Sequence, residues 1–136
     1  MDYPLIGVCN LITDAWGKIL LMKRPDDDYA YPGYWGLVGG LVECGETLET
    51  ALRRETREEI GSEIEAIQFT GHYYDKLGRH PTKTAIGLTF KSHIVGTPHP
   101  NQIKECADVR WFTPEEVRDM ALAFDHKQML KDENLI

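Results

Sequence analysis

Apolar positions along the chain fall into short runs, and their spacing switches between the period of a strand and that of a helix. Residues 5–13 (LIGVCNLIT) are apolar and rich in branched side chains, which predicts a first strand. Asp14-Ala15-Trp16-Gly17 makes a turn, with Gly17 supplying the permissive backbone. Residues 18–23 (KILLMK) return as a second strand, so the two are expected to pair as a hairpin. A polar loop, residues 25–32 (PDDDYAYP), precedes a short apolar piece, residues 34–38 (YWGLV), which Gly39-Gly40 breaks. Residues 64–74 and 84–95 predict two further strands joined by a turn at 78–83 (GRHPTK), and residues 109–112 another short strand. Thr113-Pro114-Glu115-Glu116 offers a capping oxygen, proline at the first helical position and glutamate at the third, all signals of a helix start. A last helix is expected over residues 125–135, with Asp125 as its cap. Strands alternating with helices predict an α/β fold, a mixed β-sheet sandwiched between α-helices.

The helix between Thr47 and Gly61 breaks the usual pattern. Thr47 can cap it and Gly61 can end it in the left-handed conformation. At about 100° per residue, Leu48, Ala51 and Leu52 share one face. Glu55, Glu58 and Glu59 repeat that spacing one heptad later, while Arg53 and Arg57 project from the other side. The stripe that starts as core therefore ends as a carboxylate cluster. Like charges at this spacing repel, burial would add to the cost, and a helix C-terminus disfavours anions. Hard divalent cations such as Mg²⁺ or Mn²⁺, which prefer oxygen ligands, would compensate. A merely solvated charged face is the competing reading of RRETREE alone. The preceding loop, Gly39-Gly40-Leu41-Val42-Glu43-Cys44-Gly45-Glu46, tips the balance. It adds two acids and three glycines that let the backbone approach a ligand.

The totals constrain the rest. The 136 residues suit one domain, spanning 1–136. A net charge of −7 and the lack of a basic stripe argue against a nucleic-acid duplex as partner. No apolar run is long enough for a membrane span, and the first residues lack the basic stretch of a signal peptide. Cys9, Cys44 and Cys106 are odd in number and form no C-x-x-C pair, so a reducing, cytoplasmic location is expected.

Gly40, five residues, Glu46, seven residues, then Arg54-Glu55-Thr56-Arg57-Glu58-Glu59-Ile60-Gly61-Ser62 resembles the Nudix box, G-x5-E-x7-R-E-U-x-E-E-x-G-U with U a bulky aliphatic. Each fixed Gly, Glu and Arg stands at its spacing over 23 residues. Thr56 and Ser62 depart, since they replace aliphatics expected to pack under the helix. The order of the remaining elements, up to the strand holding Trp111-Phe112 and the helix after it, is also similar to that family.

The resemblance implies a hydrolase that uses a divalent metal, Mg²⁺ with Mn²⁺ as an alternative, to split nucleoside diphosphates linked to another group. It places Glu55, Glu59, Glu58 and the Gly39 carbonyl as metal ligands, with Glu58 also a candidate base. Arg54 is implied as the organiser pairing with Glu46 or nearby acids, and Gly40, Glu46 and Gly61 as structural residues of the motif. Glu105 stands where relatives often carry a further ligand or base, although an exposed loop acid is the bland alternative. Arg24, Trp35 and Arg79 are candidate substrate contacts. Lys23, Tyr34 and His80 share the same two readings, contact or ordinary surface and core. The expected partner is a small nucleotide, and a homodimer is expected by analogy. Phe124-Asp125-His126 and the Leu37–Gly40 entry lean toward ADP-ribose or a related nucleotide sugar; no catalytic role for His126 follows. The alternatives are a nucleoside triphosphate, oxidised forms included, and a nucleotide-binding sensor without turnover.

Overall fold

The computed structural model describes residues 3–76 and 80–136. Ten elements follow one another: β1 (Leu5–Ile12), β2 (Ile19–Lys23), β3 (Trp35–Gly36), β4 (Val38–Leu41), α1 (Leu48–Ile60), β5 (Glu63–Tyr74), β6 (Ala85–Val95), β7 (Asp108–Phe112), α2 (Pro114–Arg118) and α3 (His126–Asp132). They build a four-stranded sheet in the order β4-β1-β6-β5 and a three-stranded sheet in the order β3-β2-β7. The first is mixed, because β1 runs parallel to β6 and antiparallel to β4. The second is antiparallel throughout.

The expected hairpin of the first two strands is not what forms. The turn is there, tied by Asp14 Oδ1, which accepts the Trp16 and Lys18 N–H groups at 2.9 Å each. Pairing stops at a single bridge, Thr13 to Ile19. Both edges of β1 are taken by β4 and β6, and both edges of β2 by β3 and β7. The two strands thus part into different sheets. Residues 19–22 are all buried, as expected for a strand covered on both faces rather than an alternating hairpin arm.

Leu11, Ile19, Leu21, Val117, Met129 and Leu130 form one core cluster, which docks α2 and α3. Ala51 and Leu52 of α1 pack on Val8, Ile64 and Phe90 of the larger sheet. The predicted start of α2 is realised as a reciprocal cap: Thr113 Oγ1 accepts the Glu116 N–H at 3.2 Å, and Glu116 Oε1 accepts the Thr113 N–H at 3.0 Å. The last helix is shorter than expected, and Asp125 makes no side-chain cap on it. Among the described residues no helix is long and apolar enough to cross a membrane.

Candidate active site

Helix α1 is fixed at both ends. Thr47 Oγ1 accepts the Thr50 N–H at 3.1 Å, and Gly61 ends the helix at φ 68° while donating to the Arg57 carbonyl. Burial of Ala51 and Leu52 sets the rotation of the helix, so Glu55 and Glu59 follow on the inward side. Arg57 points outward and pairs with Glu63 at 2.6 Å. The backbone N–H groups of His99 and Asn101 reach the carbonyls of Ile60 and Glu59, and Asn101 Nδ2 reaches those of Arg57 and Glu58. These donors offset the negative end of the helix where the acids sit.

The same segment leads to Glu105. One carboxylate oxygen each of Glu55, Glu59 and Glu105 lies within 4.8 Å of the others. Glu59 is 4% exposed and accepts the Gly39 N–H at 2.9 Å. Burial pushes its carboxyl well above the usual range; the Gly39 N–H opposes this, and the charges of Glu55 and Glu105 add to it. The Glu55 carboxyl is raised too, first by burial, against a hydrogen bond from Arg54. Three converging carboxylates, Glu59 buried, Glu55 half-buried and Glu105 exposed, form an oxygen-only donor set that fits a hard divalent cation. The glycines make the approach possible: a Cβ at Gly40 would run into the Glu55 carboxylate, and one at Gly39 into the Val8 carbonyl.

Arg54 ties loop and helix together. Its Nε and Nη2 donate to the two oxygens of Glu46 at 2.7 and 2.9 Å. Nη1 donates to Glu55 at 2.8 Å and Glu58 at 3.2 Å, and Nη2 also reaches the Leu41 carbonyl at 2.9 Å. This is the arrangement expected of it, and Glu46 is its main partner. Glu58 stands apart from the three-acid group, turned to Arg54.

A cavity of about 250 Å³ opens beside the acids. Gly39, Glu59, Arg24, Tyr29, Phe124 and His126 are among the residues that line it. Arg24 lies over the Phe124 ring at 5.1 Å and pairs with Asp28 at 2.9 Å. Phe124 holds a positive φ of 51°, uncommon for an aromatic residue. Trp35 stays outside the cavity lining; it packs edge-on against Phe112 at 5.0 Å, under the Arg110 guanidinium. Tyr34 packs against Tyr31. His80 lines the cavity, whereas Arg79 lies outside the described residues.

Sequence reasoning gave Cys9 no role and drew from Phe124-Asp125-His126 only a lean in substrate class, because no spacing rule joins residues so far apart in the chain. It also missed why Thr56 departs from an aliphatic. Thr56 Oγ1 accepts a hydrogen bond from Asn10 Nδ2 at 3.0 Å, and Asn10 Oδ1 accepts one from Ser92 at 2.6 Å, all three residues being buried. An asparagine in the middle of an apolar strand was the available signal.

Comparison with known proteins agrees with this geometry. Residues 4–132 match the family model described as the NUDIX domain. An ADP-ribose pyrophosphatase of Methanocaldococcus jannaschii is 32% identical over 96% of this chain and 73% of its own length. A nucleoside triphosphatase NudI of Escherichia coli is 36% identical over 81% of this chain and 82% of its own. The crystal structure of a MutT NUDIX hydrolase from Burkholderia pseudomallei superposes with a TM-score of 0.84 at 25% identity, covering 96% of this chain and 98% of that one. The pattern across residues 40–62 is thus the centre of a whole chain built around it, and that chain belongs to the Nudix hydrolase family.

Proposed function

We propose that the protein hydrolyses the diphosphate linkage of a nucleoside diphosphate derivative, with ADP-ribose or a related nucleotide sugar as substrate. The observation that carries this reading is the position of Glu59. It belongs both to the three-acid group and to the lining of a cavity that Arg24 and Phe124 also line. A diphosphate at the acids would leave the rest of a nucleotide within that cavity. The 32% identity to an ADP-ribose pyrophosphatase supports the substrate class.

In this reading Glu55, Glu59 and Glu105, with the Gly39 carbonyl, would hold Mg²⁺, for which Mn²⁺ could substitute. When bound, such a cation would supply charge neutralisation at the diphosphate and Lewis-acid polarisation at phosphorus. Glu46 and Arg54 fix the loop and orient Glu55. Glu58, half-exposed and paired with Arg54, is the candidate base for the attacking water. Arg24 offers a cation and Phe124 an apolar face to the nucleotide.

The test is a nucleotide panel with Mg²⁺ in ¹⁸O-labelled water, the products identified by mass. AMP plus ribose phosphate from ADP-ribose is the expected result. The likeness to a nucleoside triphosphatase favours a second reading, in which pyrophosphate leaves a triphosphate. Pyrophosphate as the product would establish that reading instead, and no turnover across the panel would leave a nucleotide sensor.

A further inference from the structure

We infer that His126 is a positioning residue for the Gly39 backbone, and so for the cation site of the proposed reaction. His126 lies 89 residues from the strand it serves. Residues 122–126 run alongside β3 and into its continuation. Leu122 bridges Trp35 in parallel, and the Ala123 N–H donates to the Trp35 carbonyl at 2.9 Å. At Phe124 the chain leaves this pairing, through the positive φ noted above. The next backbone donor along this edge, the N–H of Leu37 between β3 and β4, is met by a side chain instead. It donates to His126 Nδ1 at 3.0 Å.

This bond fixes the ring. A backbone N–H can only donate, so Nδ1 is an acceptor and the proton of the neutral imidazole sits on Nε2. Nε2 faces Cys9 Sγ at 3.9 Å. Cys9 is the register partner of Gly39 in the β1–β4 ladder, and Leu37 precedes Gly39 by two residues in the chain. One ring therefore touches both routes to Gly39: Leu37, two residues before it in the chain, and Cys9, its partner on the strand beside it. Gly39 in turn donates to Glu59. The ring is 6% exposed and packs closely enough that a Cβ on Gly36 would come within 2.9 Å of Nδ1. Gly36 is thus the residue that lets the imidazole reach the strand. Hydrogen bonds made directly to a cation's ligands typically change its affinity by ten- to a hundredfold when removed, and His126, acting one step behind Gly39, should fall at the lower end.

The inference rests on the cation reading of Glu55, Glu59 and Gly39, and its test separates the two. The full chain and its H126N, H126Q and H126F variants are titrated with Mn²⁺, followed by electron paramagnetic resonance. Their turnover and melting temperatures are measured alongside. In H126N the amide oxygen can stand where Nδ1 stood; in H126Q it falls nearer Nε2; H126F keeps a ring without an acceptor. The expected result is that H126F and H126Q bind Mn²⁺ roughly tenfold more weakly with reduced kcat, and that H126N restores both to within about threefold. Wild-type Mn²⁺ affinity in folded H126F, or rescue by H126Q equal to that by H126N, overturns the inference while leaving the cation site intact. A wild-type chain that takes up no Mn²⁺ overturns both together. If H126F does not fold, the unaltered chain decides: Mg²⁺ should move the His126 ring ¹⁵N resonances, and resonances that stay still at Mg²⁺ saturation overturn the inference.

Discussion

Arg54 and Glu46 meet through two parallel hydrogen bonds of 2.7 and 2.9 Å, so that the glycine-rich loop is locked onto the middle of α1. The same guanidinium also serves Glu55, Glu58 and the Leu41 carbonyl. A lysine is a point charge and cannot reproduce that planar fork. Arg54→Lys is expected to lower kcat/KM by roughly a hundredfold, with the loss in kcat rather than in KM. Steady-state kinetics on the substrate identified by the panel check it.

Glu59 should show function and stability pulling apart. Its carboxylate is buried beside two other acids. Glu59→Gln keeps an oxygen for the Gly39 N–H but removes the buried charge. The variant is expected to lose most turnover while its melting temperature without metal rises by roughly 2–6 °C. Calorimetry in a chelator would refute this if the variant melted below the wild type.

The pH dependence of stability follows from the same acids. Glu55 and Glu59 have carboxyls held above the ordinary value of 4.5, so over that window the folded chain binds more protons than the unfolded one. The stability they contribute is complete below the ordinary value and is lost as pH rises through their raised values. Glu46, Glu63 and Glu116, all lowered, act in the opposite sense: their contribution is present above 4.5 and lost only in acid. In chelator, the melting temperature is therefore expected to decline as pH rises above the ordinary carboxyl value through the raised values of Glu55 and Glu59. Saturating Mg²⁺ should abolish the decline, and its apparent affinity should tighten over the same range.

The buried Asn10–Thr56–Ser92 chain predicts an unusual mutant series. Thr56→Val has the right shape, and an aliphatic is what the family pattern expects, yet it strips Asn10 of its acceptor. A loss of about 1–3 kcal/mol is expected. Adding Asn10→Leu and Ser92→Ala removes the orphaned groups and should recover most of it. Denaturant melts of the single and triple variants test the reversal.

Phe124 is expected to act on binding alone. Phe124→Ala removes an apolar wall of the cavity without touching the acids. KM should rise by roughly tenfold or more, the usual worth of one aromatic face against a base, with kcat within about twofold. A fall in kcat at constant KM would place Phe124 outside the nucleotide subsite.

The helix and its acids were legible because a local period carried them. Leu48, Ala51 and Leu52 announce the buried side, and Glu55 and Glu59 follow on it by geometry alone. Thr47 and Gly61 marked both ends correctly. The split of β1 and β2 into two sheets was not legible, since a turn with apolar arms looks the same whether or not the arms go on pairing. Trp35 shows the limit for single aromatics: its sequence neighbourhood says nothing about whether Phe112 or a ligand will cover it. The convergence of Gly36, Cys9 and His126 depends on three elements meeting. Only the fold could show it.

Residues 99–101 close the end of α1, and a few positions later the same stretch delivers Glu105. One acid of the trio is therefore mounted on a separate, surface-borne strap, while the other two are built into the helix. Lengthening or shortening that strap would retune the spacing of the trio without altering a letter of the 23-residue signature. Two chains with identical signatures can thus differ in the chemistry they perform.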